Sequence, residues 1–108
     1  MWHNRERNFN LTGGDYSRLT NNLHLKRSAY GDNAHNGFDR EVYFSTKPNE
    51  DYILVTERQT PGVYSSNDEH PVKVNVISTD EKTCDRIIGS ISKNVEVIKS
   101  GGILEARV

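Results

Sequence analysis

The sequence predicts an α+β fold: a small single domain with a twisted, mostly antiparallel sheet of five or six strands and two or three short helices. Residues 72–76 alternate valines with polar residues, which is the pattern of a half-buried strand. Residues 84–91 place apolar side chains at i, i+3, i+4 and i+7, which is the pattern of one helix face. With 108 residues, the chain is long enough for one hydrophobic core.

The start of the chain is polar. Residues 1–22 are predicted to be an amino-terminal arm or a short helix, and residues 23–108 are predicted to form the single domain. Asp15 is the predicted N-cap of that helix. Trp2 and Phe9 are the predicted contacts of this segment with the body of the domain.

Residues 23–27 predict the first strand of the domain, because apolar and polar residues alternate and place Leu23, Leu25 and Arg27 on one side. Residues 29–37 contain several Gly, Asp and Asn residues, which are typical of an exposed loop. The sequence therefore predicts a short strand followed by a long loop.

A second strand is predicted at residues 42–45. Pro48 favours the first turn of a helix, and Glu50 and Asp51 follow it, so residues 48–58 are predicted to form a short helix. The β-branched residues in this segment favour a strand instead.

A longer helix is predicted to begin at Ser78, because Ser78 and Glu81 have the spacing of a capping box. It is predicted to end at Asn94, and strands are predicted at residues 95–97 and 103–108. The predicted buried stripe of the helix consists of Cys84, Ile87, Ile88 and Ile91.

The composition limits the class of protein. Hydrophobic residues make up 33% of the chain, and no apolar run reaches the roughly 18 residues that a membrane-spanning helix needs. The only cysteine, Cys84, excludes an internal disulfide, and its place on an apolar stripe predicts a buried, unreactive thiol. No two histidines have helical ligand spacing, so we expect no metal site. We expect a cytoplasmic protein, or one that is delivered into the cytoplasm of a target cell.

The charge is nearly balanced, with a net charge of −1. Residues 1–40 carry six basic and four acidic residues, and residues 41–108 carry eight basic and eleven acidic residues. The excess of basic residues in the first part is far below that of a dedicated nucleic-acid-binding protein.

Glu96 is the predicted catalytic residue. If Val95 and Val97 of a strand point into the core, Glu96 lies on the opposite face. A carboxylate in that position can stabilise an oxocarbenium-like transition state or accept a proton. Single glutamates on strands are more often solvated surface residues.

Arg27 and the pair Ser45 and Thr46 are further candidates for a binding site. An arginine at a strand end can hold a pyrophosphate with two N–H groups, and hydroxyls after a strand can hold the edge of a cleft through hydrogen bonds to the backbone. Both patterns also have structural explanations, which are a surface ion pair for Arg27 and a strand-to-turn cap for the hydroxyl pair.

Taken in order along the chain, these motifs resemble the arginine, serine-threonine and glutamate pattern of the ADP-ribosyltransferase superfamily. The motifs are Arg27, the Val-Tyr-Phe-Ser-Thr-Lys-Pro of residues 42–48, and Glu96 ahead of the Gly-Gly-Ile of residues 101–103. The resemblance covers about residues 23–108.

The resemblance implies a small ADP-ribosyltransferase or NAD glycohydrolase that uses NAD as a substrate, as the catalytic domain of a toxin or effector. It implies that Arg27 holds NAD and that Ser45 and Thr46 shape the nicotinamide pocket. It also implies that Glu96 orients the nicotinamide ribose while nicotinamide is lost.

Two other functions fit the sequence. One is an endoribonuclease toxin in which His24, Arg27 and His35 act on RNA. The other is a protein-binding or inhibitory module without catalytic chemistry, which presents residues 29–40 and 62–70 to a protein partner. We therefore expect a protein or RNA target and, for a toxin, a cognate inhibitor protein. None of these functions involves a membrane.

Overall fold

The computed structural model describes residues 1–23, 25–34, 38–59 and 68–101. Within these ranges the chain forms an antiparallel sheet of five strands and two helices, which confirms the predicted α+β class. The elements in chain order are β1 (His3–Leu11), α1 (Gly13–Asn22), β2 (Leu25–Ala34), β3 (Phe38–Ser45), β4 (Ile53–Gln59), β5 (His70–Ser78) and α2 (Glu81–Lys99).

The five strands lie in the order β1-β5-β4-β3-β2, and every neighbouring pair is antiparallel. Strands β2 to β5 therefore follow one another as a meander, and β1 joins the sheet beside β5. Because side chains alternate across a strand, each strand has one face toward the helices and one face away from them. On β5, for example, Val72, Val74 and Val76 are buried while Lys73 is exposed, which confirms the predicted strand at residues 72–76.

The hydrophobic core lies between the two helices and one face of the sheet. Helix α1 contributes Tyr16 and Leu19 to it. Helix α2 contributes the predicted stripe, which is confirmed, and two further side chains: Cys84, Ile87, Ile88, Ile91, Val95 and Ile98. Complete burial of one such aliphatic side chain stabilises the fold by roughly 1.5–3 kcal/mol relative to exposure, so this stripe holds α2 on the sheet.

The first 22 residues are part of the sheet and its helical layer. Strand β1 pairs with β5 as far as Leu11, which lies opposite His70. The predicted short helix is present as α1, but its N-cap is Thr12 rather than Asp15: the Thr12 hydroxyl accepts a hydrogen bond from the Asp15 amide at 3.0 Å. The sequence did not predict β1, because its asparagines have low strand propensity.

The prediction of a long loop at residues 29–37 is mostly wrong. Residues 29–34 extend β2, and the pairing of β2 with β3 shifts register between Arg27 and Gly31. A bulge of this kind lets a strand include residues that fit a regular ladder poorly. Residues 35–37 lie outside the described residues, and the strand predicted at 42–45 is confirmed as part of β3.

The helix predicted at residues 48–58 is also wrong, because most of this segment forms β4, the central strand of the sheet. Leu54 and Thr56 are buried toward the helices. Pro48 lies in a turn, where Asn49 adopts a left-handed backbone conformation with a φ of 63°. The β-branched residues outweighed the helix-start signal, because a strand here gains hydrogen-bonded partners on both sides.

Helix α2 begins two residues later than predicted, with Asp80 and not Ser78 as its N-cap. Ser78 is instead the last residue of β5, and its hydroxyl donates a hydrogen bond to the Asp51 carbonyl at 2.8 Å. Ser78 and Glu81 therefore do not form a capping box, because the Ser78 hydroxyl instead bonds to the backbone at the end of the sheet.

Helix α2 also ends later than predicted. It continues to Lys99, so the strand predicted at residues 95–97 is wrong. The buried side chains Val95 and Ile98 continue the helical stripe by a further turn and more. Ser100 is the C-cap of the helix, and Gly101 follows it with a φ of 77°, which suits a residue without a side chain. The strand predicted at 103–108 lies outside the described residues.

The side of the sheet that faces away from the helices is named here the open face, and no described helix packs on it. Its apolar side chains lie on three adjacent strands and meet across them, since Phe44 is opposite Ile53 and Ile53 is opposite Ile77. The apolar members are Val42, Phe44, Ile53, Val55 and Ile77. The sheet therefore has an apolar surface on both sides, and the described helices cover only one.

Candidate functional site

The four residues predicted to form an NAD site lie on β2, at the end of β3 and on helix α2. Arg27 lies on β2 and lines a groove beside α1. Glu96 is an exposed residue of helix α2, not of a strand, and is not among the residues that line this groove. A catalytic role for Glu96 with Arg27 therefore gains no support from a shared pocket.

Ser45 and Thr46 lie at and just beyond the end of β3. The Ser45 hydroxyl accepts a hydrogen bond from the Lys47 amide at 3.3 Å, which is the strand-to-turn cap that the sequence offered as the structural explanation. Ser45 lines a different cleft from Arg27, and Thr46 lines neither. The predicted nuclease residues His24 and His35 lie outside the described residues. The transferase and nuclease hypotheses stay predictions.

The groove that contains Arg27 lies between α1 and strands β2 to β4, and its volume is about 340 Å³. Its walls are mostly polar. The lining residues that carry its charge and its buried hydroxyls are Tyr16, Arg27, Glu41, Tyr43 and Arg58. Residues two apart on one strand share a face, so Glu41 and Tyr43 of β3 both point toward α1.

A chain of hydrogen bonds runs along the floor of the groove. The Tyr43 hydroxyl donates to Glu41 Oε2 at 2.5 Å, since a carboxylate can only accept. Tyr43 has no second proton, so the Tyr16 hydroxyl donates to it at 3.1 Å, and Thr56 Oγ1 then donates to Tyr16 at 2.7 Å. The chain therefore has one direction, from Thr56 through both tyrosines to the carboxylate of Glu41.

Two guanidinium groups flank the same carboxylate. Arg58 Nη2 lies 3.3 Å from Glu41 Oε1, and Arg27 Nε lies 3.6 Å from Oε2. The Arg58 guanidinium also stacks 4.2 Å from the centre of the Tyr16 ring, which is a cation–π contact. The side chains of Glu41 and Arg58 are mostly buried, whereas that of Arg27 is 63% exposed. The negative charge thus lies deep in the groove, and one positive charge lies at its mouth.

The environment raises the pKa of both tyrosines. Burial is the main cause for Tyr16, and burial followed by the hydrogen bond to Glu41 is the main cause for Tyr43. Both hydroxyls therefore keep their protons far above neutral pH and act as hydrogen-bond donors and acceptors, not as bases.

Alternation within two segments of the sequence indicates this cluster. Glu41 and Tyr43 alternate with Val42, and Leu54, Thr56 and Arg58 alternate in the same way on β4. Period-two alternation places such residues on one face of a sheet. The alternation was missed, because the predicted strand begins only at residue 42 and residues 48–58 are predicted to form a helix.

A second cleft lies at the end of the sheet near Trp2, with a volume of about 210 Å³. Trp2 and Phe44 are large apolar residues that remain 65% and 45% exposed. Trp2, predicted to contact the body of the domain, lines this cleft, and Phe9 packs against the core. Asp51 contributes an exposed carboxylate to the lining, and Ile53 connects it with the apolar part of the open face.

The charged residues of the open face surround its apolar centre. Arg40 and Glu57 form an ion pair at 3.2 Å across β3 and β4. The alternation of the strands places two other lysines and one other acidic residue on the same side: Lys26, Lys73 and Glu6. The face is thus apolar in the middle and carries both signs of charge at its rim.

Comparison with known proteins gives no family for this chain: no family model and no curated protein sequence matches it. Within the described ranges, no three His, Cys, Asp or Glu side chains are grouped as metal ligands would be. Neither described helix is both long and apolar enough to span a membrane.

Proposed function

We propose that this protein is a protein-binding module that uses the open face and the cleft beside Trp2. The observation that supports the proposal most is the exposure of Phe44 and Trp2, at 45% and 65%, next to a continuous apolar cluster. An apolar surface that no described element covers gains free energy when a partner buries it, at about 25 cal/mol per Å².

The charges favour a protein partner over a nucleic acid. A nucleic-acid-binding surface has a clear excess of Lys and Arg, because its contacts to phosphates supply most of the affinity. Here Glu57 neutralises Arg40, and the whole chain has a net charge of −1. A core of aromatic and aliphatic side chains inside a polar rim is instead the composition of a protein interface.

The cleft indicates the chemistry of the partner. Its aromatic and aliphatic walls, Trp2, Phe44 and Ile53, fit one apolar side chain, and the Asp51 carboxylate at its edge attracts a cation. We therefore expect the partner to present a segment in which an apolar residue is followed closely by Lys or Arg. The apolar residue fills the cleft, and the basic residue pairs with Asp51.

The experiment is a selection of binding peptides from a random display library, followed by titration of the selected peptides. Trp2 is the only tryptophan in the chain and lies in the cleft, so its fluorescence reports occupation directly. We expect the selected peptides to share an apolar residue next to a basic one and to shift the Trp2 emission to shorter wavelengths. The variant Phe44→Thr keeps a strand-favouring residue and is expected to weaken binding at least about tenfold.

The matched control is Glu96→Gln, which changes an exposed residue of α2 and is expected to leave binding unchanged. Selected peptides that bind Phe44→Thr as tightly as the unchanged protein would refute the proposal, as would a library that yields no binder. Sedimentation at increasing concentration gives a further test. Self-association that Phe44→Thr abolishes would assign the face to a second copy of the chain and overturn the proposed partner.

A further inference from the structure

The groove beside α1 suggests a second binding site, on the other side of the sheet from the open face. We propose that this groove binds a small oxyanion, a phosphate or carboxylate group of a small molecule, with Arg27 as its main contact. The inference is independent of the proposed protein-binding function, because the two surfaces lie on opposite faces of the sheet.

The arrangement of charge in the groove is the first argument. Arg27 and Arg58 carry two positive charges, and Glu41 carries one negative charge, so the three groups together are positive. The Glu41 side chain is only 11% exposed, and that of Arg27 is 63% exposed. A ligand that enters from solvent therefore meets the guanidinium first and the carboxylate only below it.

The second argument is that Arg27 can turn to a ligand without leaving a buried charge alone. Its Nε lies 3.6 Å from Glu41, which is longer than a hydrogen bond. Glu41 has closer partners in Arg58 at 3.3 Å and Tyr43 at 2.5 Å. When Arg27 swings toward a ligand, the carboxylate keeps a cation and a hydroxyl donor, so the movement costs little.

The third argument concerns the other groups at the mouth. Ser17 and Asn21 of α1 are exposed and line the groove, and each has a polar side chain that can donate to an oxyanion. Arg58 Nε is buried and has no hydrogen-bond partner among the described residues, so the guanidinium beneath Arg27 has unsatisfied hydrogen-bonding capacity. The carboxyl end of α1 is nearby and opposes an anion weakly, because its partial negative charge is screened by water. We therefore expect millimolar affinity for a simple anion.

Titration with inorganic phosphate and with acetate, followed by backbone amide NMR at constant ionic strength, tests the proposal. We expect the amide signals of Ser17, Asn21 and Arg27 to move with saturation. Arg27→Gln is expected to weaken binding about fivefold, which is typical of one solvent-exposed ionic contact. Lys26→Gln is the matched control, because it removes the same charge from the neighbouring residue on the opposite face of β2.

The outcomes separate the sources of the anion. Binding of phosphate alone indicates a phosphorylated ligand, binding of acetate alone indicates a carboxylate ligand, and binding of both indicates a general oxyanion site. Three results would overturn the proposal: no saturable binding of either anion, equal affinity of Arg27→Gln and the unchanged protein, or an equal loss of affinity in Lys26→Gln. Amide spectra of both variants establish that each is folded.

Discussion

The one-way chain of hydrogen bonds from Thr56 to Glu41 predicts that its members contribute unequally to stability. Replacing Tyr43 by Phe removes the hydroxyl that donates to the carboxylate at 2.5 Å. The Tyr16 hydroxyl also loses its acceptor, and it keeps only the one hydrogen bond that it shares with Thr56 Oγ1 at 2.7 Å. Two hydrogen bonds are therefore lost, one to a charged acceptor and one between neutral hydroxyls, and we expect the free energy of unfolding to fall by about 2.5 kcal/mol.

Replacing Thr56 by Val removes the other end of the chain. Tyr16 keeps its donor bond to Tyr43, so only one bond between neutral groups is lost, worth about 1 kcal/mol. The additional buried methyl group offsets part of this loss. Thr56→Val is therefore expected to cost less than about 1 kcal/mol.

Replacing Glu41 by Gln is expected to be the most damaging of the three changes. The Arg58 side chain is only 17% exposed, and the substitution removes its counter-charge. Loss of one partner from a buried ion pair costs about 3 kcal/mol at the lower end of the usual range.

Urea unfolding monitored by circular dichroism at pH 7 measures all three changes. The control is Thr79→Val, which removes a hydroxyl from an exposed threonine outside the chain of hydrogen bonds and is expected to change stability by less than about 0.5 kcal/mol. If Thr56→Val costs as much as Tyr43→Phe, the direction assigned to the hydrogen bonds is wrong. If Glu41→Gln costs no more than Thr79→Val, the carboxylate is not the anchor of the cluster.

Three further predictions concern other parts of the chain. Gly89 is an exposed residue inside α2 with open space where a Cβ would lie, so Gly89→Ala is expected to raise the free energy of unfolding by about 0.5–1 kcal/mol. Gly101 has a φ of 77°, so Gly101→Ala is expected to lower it. Thermal unfolding of both variants measures the two effects. Burial is the main cause that raises the pKa of Tyr52 to about 12. The unfolded chain therefore loses this proton first, and the free energy of unfolding falls as the pH rises from about 10 to 12. Unfolding curves across that range are expected to show a shallower fall for Tyr52→Phe. Glu96 is exposed on α2 and does not line the groove of Arg27, so we expect Glu96→Gln to leave any nicotinamide release from NAD unchanged. A loss of release in this variant alone would support the transferase hypothesis.

The sequence predicts an element correctly where apolar residues repeat several times within that element. The valines of β5 and the isoleucines of α2 repeat often enough to identify both the element and its buried face. The errors at β1 and β4 have another cause. Each of these strands is stabilised by neighbours that are distant in the chain, and local preferences for turns or helix starts do not report such neighbours.

The prediction of the site was incomplete for a related reason, which is that its residues come from elements distant in the chain. Arg27 was correctly placed on a strand, but the residues around it come from α1, β3 and β4. Glu96 was assigned to a strand, because Val95 and Val97 alternate around it over only three residues. The same valine at 95 also continues the helical period from Ile91, and the longer pattern was the correct one.

The pairing of β1 with β5 has a consequence for the order in which the molecule forms. Strands β2 to β5 pair with their neighbours in sequence, and such local contacts form quickly. Strand β1 instead pairs with β5, which begins only at His70, so this contact joins residues that are distant in the chain. On the ribosome, β1 therefore emerges well before β5 and remains without its partner until the residues between them have been made. We infer that attachment of β1 is a late event in folding.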